Sequence, residues 1–173
     1  MLKIGEMVVY PIHGVARIID IKDENIGGAE QRCYILQSES TPQRPLIKLP
    51  VDKVESNRVR KVVTGAEVPL VIEVLKKRRR QEEPQIWSKR YRQYQDKMRS
   101  GSILETAEVY KDLCLLKETK DLSLSERKLF DLARNLLIKE LSIAQQMEES
   151  EVERSINALL HADEPNGNEG VDN

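Results

Sequence analysis

Three of the seven aromatic side chains, Trp87, Tyr91 and Tyr94, fall within eight residues, among Lys89, Arg90, Arg92, Lys97 and Arg99. Clustered cations hold phosphates by displacing counterions, and a ring beside them can stack on an unpaired base, so this mixture has the chemistry of a nucleic-acid contact. On a helix, positions 87, 91 and 94 share one face. That face serves equally well as core, because burying an indole removes a large apolar area from water. The residues alone leave both readings open: a ring protruding near a helix N-terminus could wedge into an unstacked base step, whereas a buried one ties the helix to its neighbours.

Charge is divided along the chain in a way that the net value of -1 conceals. Residues 76–99 carry an excess of seven positive charges, beginning with the run Lys76-Lys77-Arg78-Arg79-Arg80, and residues 100–173 an excess of eight negative ones. A concentrated basic segment beside an acidic one can hold a phosphate backbone locally without making the whole chain adhesive to polyanions. The run Lys76–Arg80 reads equally as extra phosphate contacts or as a solvated helix end.

Catalytic signatures are missing. The sequence has no G-x-x-x-x-G-K-[ST] loop, no G-x-G-x-x-G, no G-x-S-x-G and no H-E-x-x-H, and its only histidines are His13 and His161. No enzyme, cofactor or metal site is expected. Cys33 and Cys114 lie far apart without a CxxC or Cys/His cluster, which predicts reduced, partly buried thiols. No signal-like start and no stretch of transmembrane length occur, so a cytoplasmic, monomeric protein is expected.

The elements that must position the basic segment are of two kinds, giving an α+β chain. Residues 1–65 alternate with a period of two in the runs Ile4–Tyr10, Val15–Ile21, Arg32–Gln37 and Leu46–Leu49, with turn residues at Asp23–Gly28. Pro42 and Pro45 place the last run near a sheet edge. A small SH3/Tudor-like β-barrel fits such strands. Its open edge at Leu46, Ile47, Lys48 and Leu49 could pair with a partner's backbone while Lys48 meets an acidic patch.

From residue 66 the period becomes helical, predicting an all-helical domain over 66–162. Val68–Lys77 forms a first helix, and Pro84 suits the first turn of a second that ends at Ser100-Gly101. Ser102/Glu105, Ser123/Glu126 and Ser150/Glu153 each have capping-box spacing. Leu129, Ala133, Leu136, Leu137 and Leu141 form an apolar stripe that should pack on Ile103, Ala107, Tyr110 and Cys114 of the preceding helix. Residues 163–173 are polar and predict a disordered tail.

Two segments go beyond pattern. Gly5-Glu6-Met7-Val8-Val9-Tyr10-Pro11-Ile12-His13-Gly14-Val15 resembles the G-[DE]-x-V-V-Y-P-x-H-G opening of CarD/CdnL proteins and of the polymerase-interaction domain of transcription-repair coupling factor. Glu83-Pro84-Gln85-Ile86-Trp87-Ser88-Lys89-Arg90-Tyr91 resembles the E-P-x-x-W-S-[RK]-R-Y segment of the CarD/CdnL branch, and Ser125-Glu126-Arg127-Lys128 with its helix is similar to a third. The likeness spans about residues 1–160, and the absent ATPase motifs exclude coupling factor itself. The resemblance implies a transcription initiation regulator whose barrel binds the RNA polymerase β subunit, and whose helices stabilise the promoter open complex at the upstream bubble edge. It further implies that Lys48 lies on the polymerase-facing strand, that Lys89, Arg90 and Arg92 face DNA without sequence preference, and that Trp87 is a minor-groove wedge. Glu24 departs from relatives that carry a base in that hairpin. A protein adaptor without DNA contact and an RNA-binding module are the alternatives; the first 65 residues offer only Tyr10 and Tyr34 for stacking, which weighs against RNA.

Overall fold

The computed structural model describes residues 1–77 and 87–162, with position 87 described by its backbone alone. Five antiparallel strands precede five helices: β1 (Met7–Tyr10), β2 (Gly14–Ile26), β3 (Ala29–Ser38), β4 (Leu46–Pro50), β5 (Arg60–Lys61), α1 (Val68–Lys76), α2 (Trp87–Arg99), α3 (Ile103–Thr119), α4 (Leu124–Gln145) and α5 (Glu149–His161). The strand order is β4-β3-β2-β1-β5, so β4 and β5 are the edges. This is the α+β arrangement expected, with a Tudor-like sheet first and helices after it.

Alternation builds the sheet. Val8, Ile18, Tyr34, Leu36 and Leu49 turn inward and form its core. The long β2–β3 hairpin turns at Gly27-Gly28, with Ile26 paired to Ala29, so Asp23–Ile26 continue the strand instead of forming the predicted turn. Ile18 pairs with Leu36 but Asp20 with Ile35, leaving Ile19 as an extra residue. That bulge resets the period, so Ile18 and Ile21, three apart, both pack inside. β5 has two residues, too short to show any period, and sequence reading missed it.

The helices form a second core. Tyr94 and Met98 of α2, Ala107 and Tyr110 of α3, and Leu137 and Leu141 of α4 are all buried in it. Ser123 and Glu126 make the full reciprocal capping box predicted for α4, and the Ser102 hydroxyl accepts from the Glu105 N–H at the start of α3. The third predicted box is a correction: α5 starts two residues earlier, with Glu148 as its N-cap and Ser150 already inside the helix. Glu153 is drawn away to Arg134, whose Nε and Nη2 donate to it at 2.7 and 2.6 Å. A two-point ion pair across helices outweighs a local cap. The expected first turn at Pro84 and the expected tail lie outside the described residues.

Candidate functional site

Each of the two bodies presents one surface suited to a partner. On the sheet, β4 bonds to β3 on one side only, which leaves a five-residue edge. Along it Leu46 is 59% exposed, Ile47 half-buried and Lys48 exposed, whereas Leu49 is fully buried. Strand parity directs the Leu49 side chain into the core, so at that position the edge offers a partner its backbone alone.

Lys48 does not stand alone. Its Nζ donates to Glu24 Oε2 at 2.6 Å, and Lys22 Nζ lies 3.0 Å from the other Glu24 oxygen. The long Lys48 and Glu24 side chains meet across β3, which pairs with β2 on one side and β4 on the other. The Lys48 ammonium, and then Lys22, hold the Glu24 carboxyl below the usual carboxylate range. The departure at position 24 therefore engages Lys48, the cation of the open edge.

On the helices, α2 separates its faces by spacing. Tyr94 and Met98 are buried and Tyr91 partly so, while Lys89, Arg92, Gln93, Asp96 and Arg99 form an exposed stripe. Arg90 is half-buried and engaged with a neighbour. Lys97 pairs with Glu108 of α3 at 2.7 Å, which removes it from the outward stripe. Of the aromatic trio, Tyr94 belongs to the core; the Trp87 side chain lies outside the described residues, as does the run 78–80 of the basic segment.

Sequence reading missed the residues that position these surfaces. Glu140 of α4 is buried and accepts from Arg60 Nη1 at 2.5 Å, Arg60 Nη2 at 3.0 Å and the Val63 N–H at 3.0 Å. Arg60 Nε donates to the Gly101 carbonyl at 2.6 Å, and Arg58 Nη1 to the Arg99 carbonyl at 3.2 Å. Gly101 has φ +78°, and a Cβ there would come within 3.1 Å of Pro11 Cγ and 3.3 Å of the Arg58 carbonyl. Only glycine combines that conformation with that approach. The signature turn Tyr10–Gly14 thus lies against the helices: a methyl on Gly14 would sit 2.1 Å from Ser40 Oγ and 3.7 Å from Leu136 of α4.

Lys111 is a further buried cation; its Nζ donates to the Val74 and Lys77 carbonyls at 3.2 and 3.1 Å, closing the C-terminus of α1 where the basic run begins. A cation is favoured there by the helix dipole. One signal was available for both groups: Glu140 and Lys111 each interrupt an otherwise apolar helix stripe. Among the described residues no group of three potential metal ligands occurs, and no helix is long and apolar enough to cross a membrane.

Residues 2–63 match the CarD-like/TRCF RID domain, and residues 70–157 match the CarD C-terminal domain. The chain belongs to the CarD/CdnL-like family. Among its relatives is the Bacillus subtilis (strain 168) protein named "Putative transcription factor YdeB", 29% identical over 154 residues that cover 88% of this chain and 97% of the relative. A CarD/CdnL-like chain with this polymerase-interaction domain is a transcription regulator, and the open β4 edge belongs to that domain. The exposed α2 stripe belongs to the CarD C-terminal domain.

Proposed function

We propose that the chain regulates transcription initiation as a cytoplasmic monomer, docking on the RNA polymerase β subunit through residues 1–65 and contacting promoter DNA through residues 66–162. The side chains of Leu46 and Lys48 and the backbone of Leu46–Leu49, Ile47 included, are the docking elements. Lys89, Arg90 and Arg92 hold phosphates without reading bases, and Trp87 wedges into the minor groove at the upstream edge of the bubble, stabilising the open complex. The observation that carries this reading is the division of α2: its apolar side, Tyr94 and Met98, is used up in the core, while Lys89 and Arg92 remain exposed on a chain that also has an open-edged polymerase-interaction domain. A handful of phosphate contacts, with no helix dedicated to a major groove, gives weak, salt-sensitive binding to free duplex, so docking on polymerase must supply most of the affinity.

The test is Trp87→Ala in full-length protein. A ring stacked on a base contributes about 1–3 kcal/mol, so losing it should shorten open-complex lifetime by roughly tenfold or more, with polymerase retention and melting temperature unchanged. A large fall in melting temperature would instead make Trp87 a core residue, and a wild-type chain that leaves open-complex lifetime unaltered would sink the reading as a whole.

A further inference from the structure

We infer that Arg58 and Arg60 are positioning residues that hang α2 from the sheet and thereby set where its N-terminal end lies relative to the β4 docking edge. This inference rests on the function proposed above. Covalent connection alone does not fix α2, because α1 and residues 77–86 intervene between β5 and Trp87. Tyr94, Met98 and the Lys97–Glu108 pair anchor α2 in the helical bundle, and the arginines add a direct link from the N-terminal domain at the far end of the helix. Arg58 donates to the Arg99 carbonyl and Arg60 to the Gly101 carbonyl, so one cation from β5 and one from the turn before it close the C-terminus of α2, where the helix dipole favours positive charge. Arg60 also grips Glu140 of α4 with its remaining nitrogens, so it holds two helices of the bundle at once. Arg58 itself has φ +55°, in the left-handed region that residues other than glycine seldom adopt. Its carbonyl faces Gly101 while its guanidinium reaches Arg99, so the unusual backbone serves this contact.

The geometry acts as a lever. α2 has 13 residues; at about 1.5 Å per residue its first residue stands roughly 20 Å from the pivot. A swing of about 10° at the arginines therefore moves the Trp87 end by roughly 3 Å, enough to spoil alignment with a base step. Losing the pivot should leave docking intact and degrade what the far end does.

Nitroxides carried on unnatural amino acids at the exposed positions Glu30 and Gln93 of the full chain would report the distance from the hairpin to α2. Wild type should give one narrow distribution. Arg58→Ala removes an exposed side chain with a single bond, so melting temperature and polymerase affinity should hold within a degree or two and within about twofold, while the distribution broadens and open-complex lifetime falls about threefold or more. Arg58→Lys, which keeps a donor for the Arg99 carbonyl, should restore both, and Arg60→Gln should reproduce the broadening under conditions where it is folded. A broad wild-type distribution overturns the inference, as does an unchanged distribution in both arginine variants, or a broadened one with full open-complex lifetime. If wild type itself does not lengthen open-complex lifetime, the proposed function fails, and the distance measurement still decides whether the arginines fix α2.

Discussion

Removing Arg60 should cost far more than neutralising the carboxylate it holds. Glu140 has a side-chain exposure of 4%, and among the described residues its oxygens meet, apart from Arg60, only the Val63 N–H. Arg60, at 29%, keeps bonds to the Gly101 and Lys61 carbonyls and some access to water. Arg60→Met therefore leaves a buried, uncompensated charge, which costs about 3–5 kcal/mol. Glu140→Gln retains shape and part of the hydrogen bonding, and its loss lies in the range of a charged hydrogen bond, about 1.5–3 kcal/mol. For a chain of this size each kcal/mol lowers the melting temperature by roughly 2–4 °C, so expected drops are about 6–20 °C and about 3–12 °C. The double variant Arg60→Met/Glu140→Gln should recover most of the larger loss, because neither charge remains to be desolvated. Calorimetry on the four proteins closes the cycle. Equal single-variant losses, or a double variant as unstable as the sum of its parts, would refute the reasoning from asymmetric burial.

Three further outcomes follow from local chemistry. Ile12, a β-branched residue at φ +71° with an exposed side chain, should gain about 1 kcal/mol on replacement by Asn, which tolerates that region, seen as a small rise in melting temperature; a fall would mean that the Ile side chain is packed more usefully than its exposure implies. Burial raises the Cys33 thiol and takes Cys114 to about 11, so at pH 8 only about one Cys114 in a thousand is thiolate, and a colourimetric thiol reagent should react slowly until denaturant is added; two fast equivalents in native protein would contradict this. The hydrogen-bonded Arg134 holds the Glu153 carboxyl below its ordinary value, so its contribution is present above the unfolded pKa and is lost as pH falls through the folded one; Glu153→Gln should flatten the acid limb of the stability curve, and an unchanged limb would remove the pair from the account.

Legibility in the sequence followed the range of the interaction. Strands with several alternating residues, the Gly27-Gly28 turn and the Ser123/Glu126 box are local, and they stand where the sequence places them. Ser150/Glu153 failed because Arg134, 19 residues away, competes for the same carboxylate. Strand parity in the sequence already separates Leu46 and Lys48, which face outward, from Ile47 and Leu49, which turn toward the core. The Arg60–Glu140 contact, 80 residues apart, left only half a trace: an acid on an apolar stripe announces a buried cation without saying which. Arg58 gave no signal, since its role depends on where α2 ends.

The β4 edge has a consequence for the protein in concentrated solution. A strand open to a partner is equally open to a second copy of itself, and edge-to-edge pairing of that kind starts aggregation. Here the exposed row spans about 17 Å, Pro45 precedes it and Pro50 ends it without an N–H to offer, and Lys48 sets a charge at its middle. Two such edges brought together would oppose lysine to lysine or force one Glu24 ion pair to break. The Lys48–Glu24 pair is thus a guard on self-association, and its removal should show first as oligomers at high concentration, before any loss of fold.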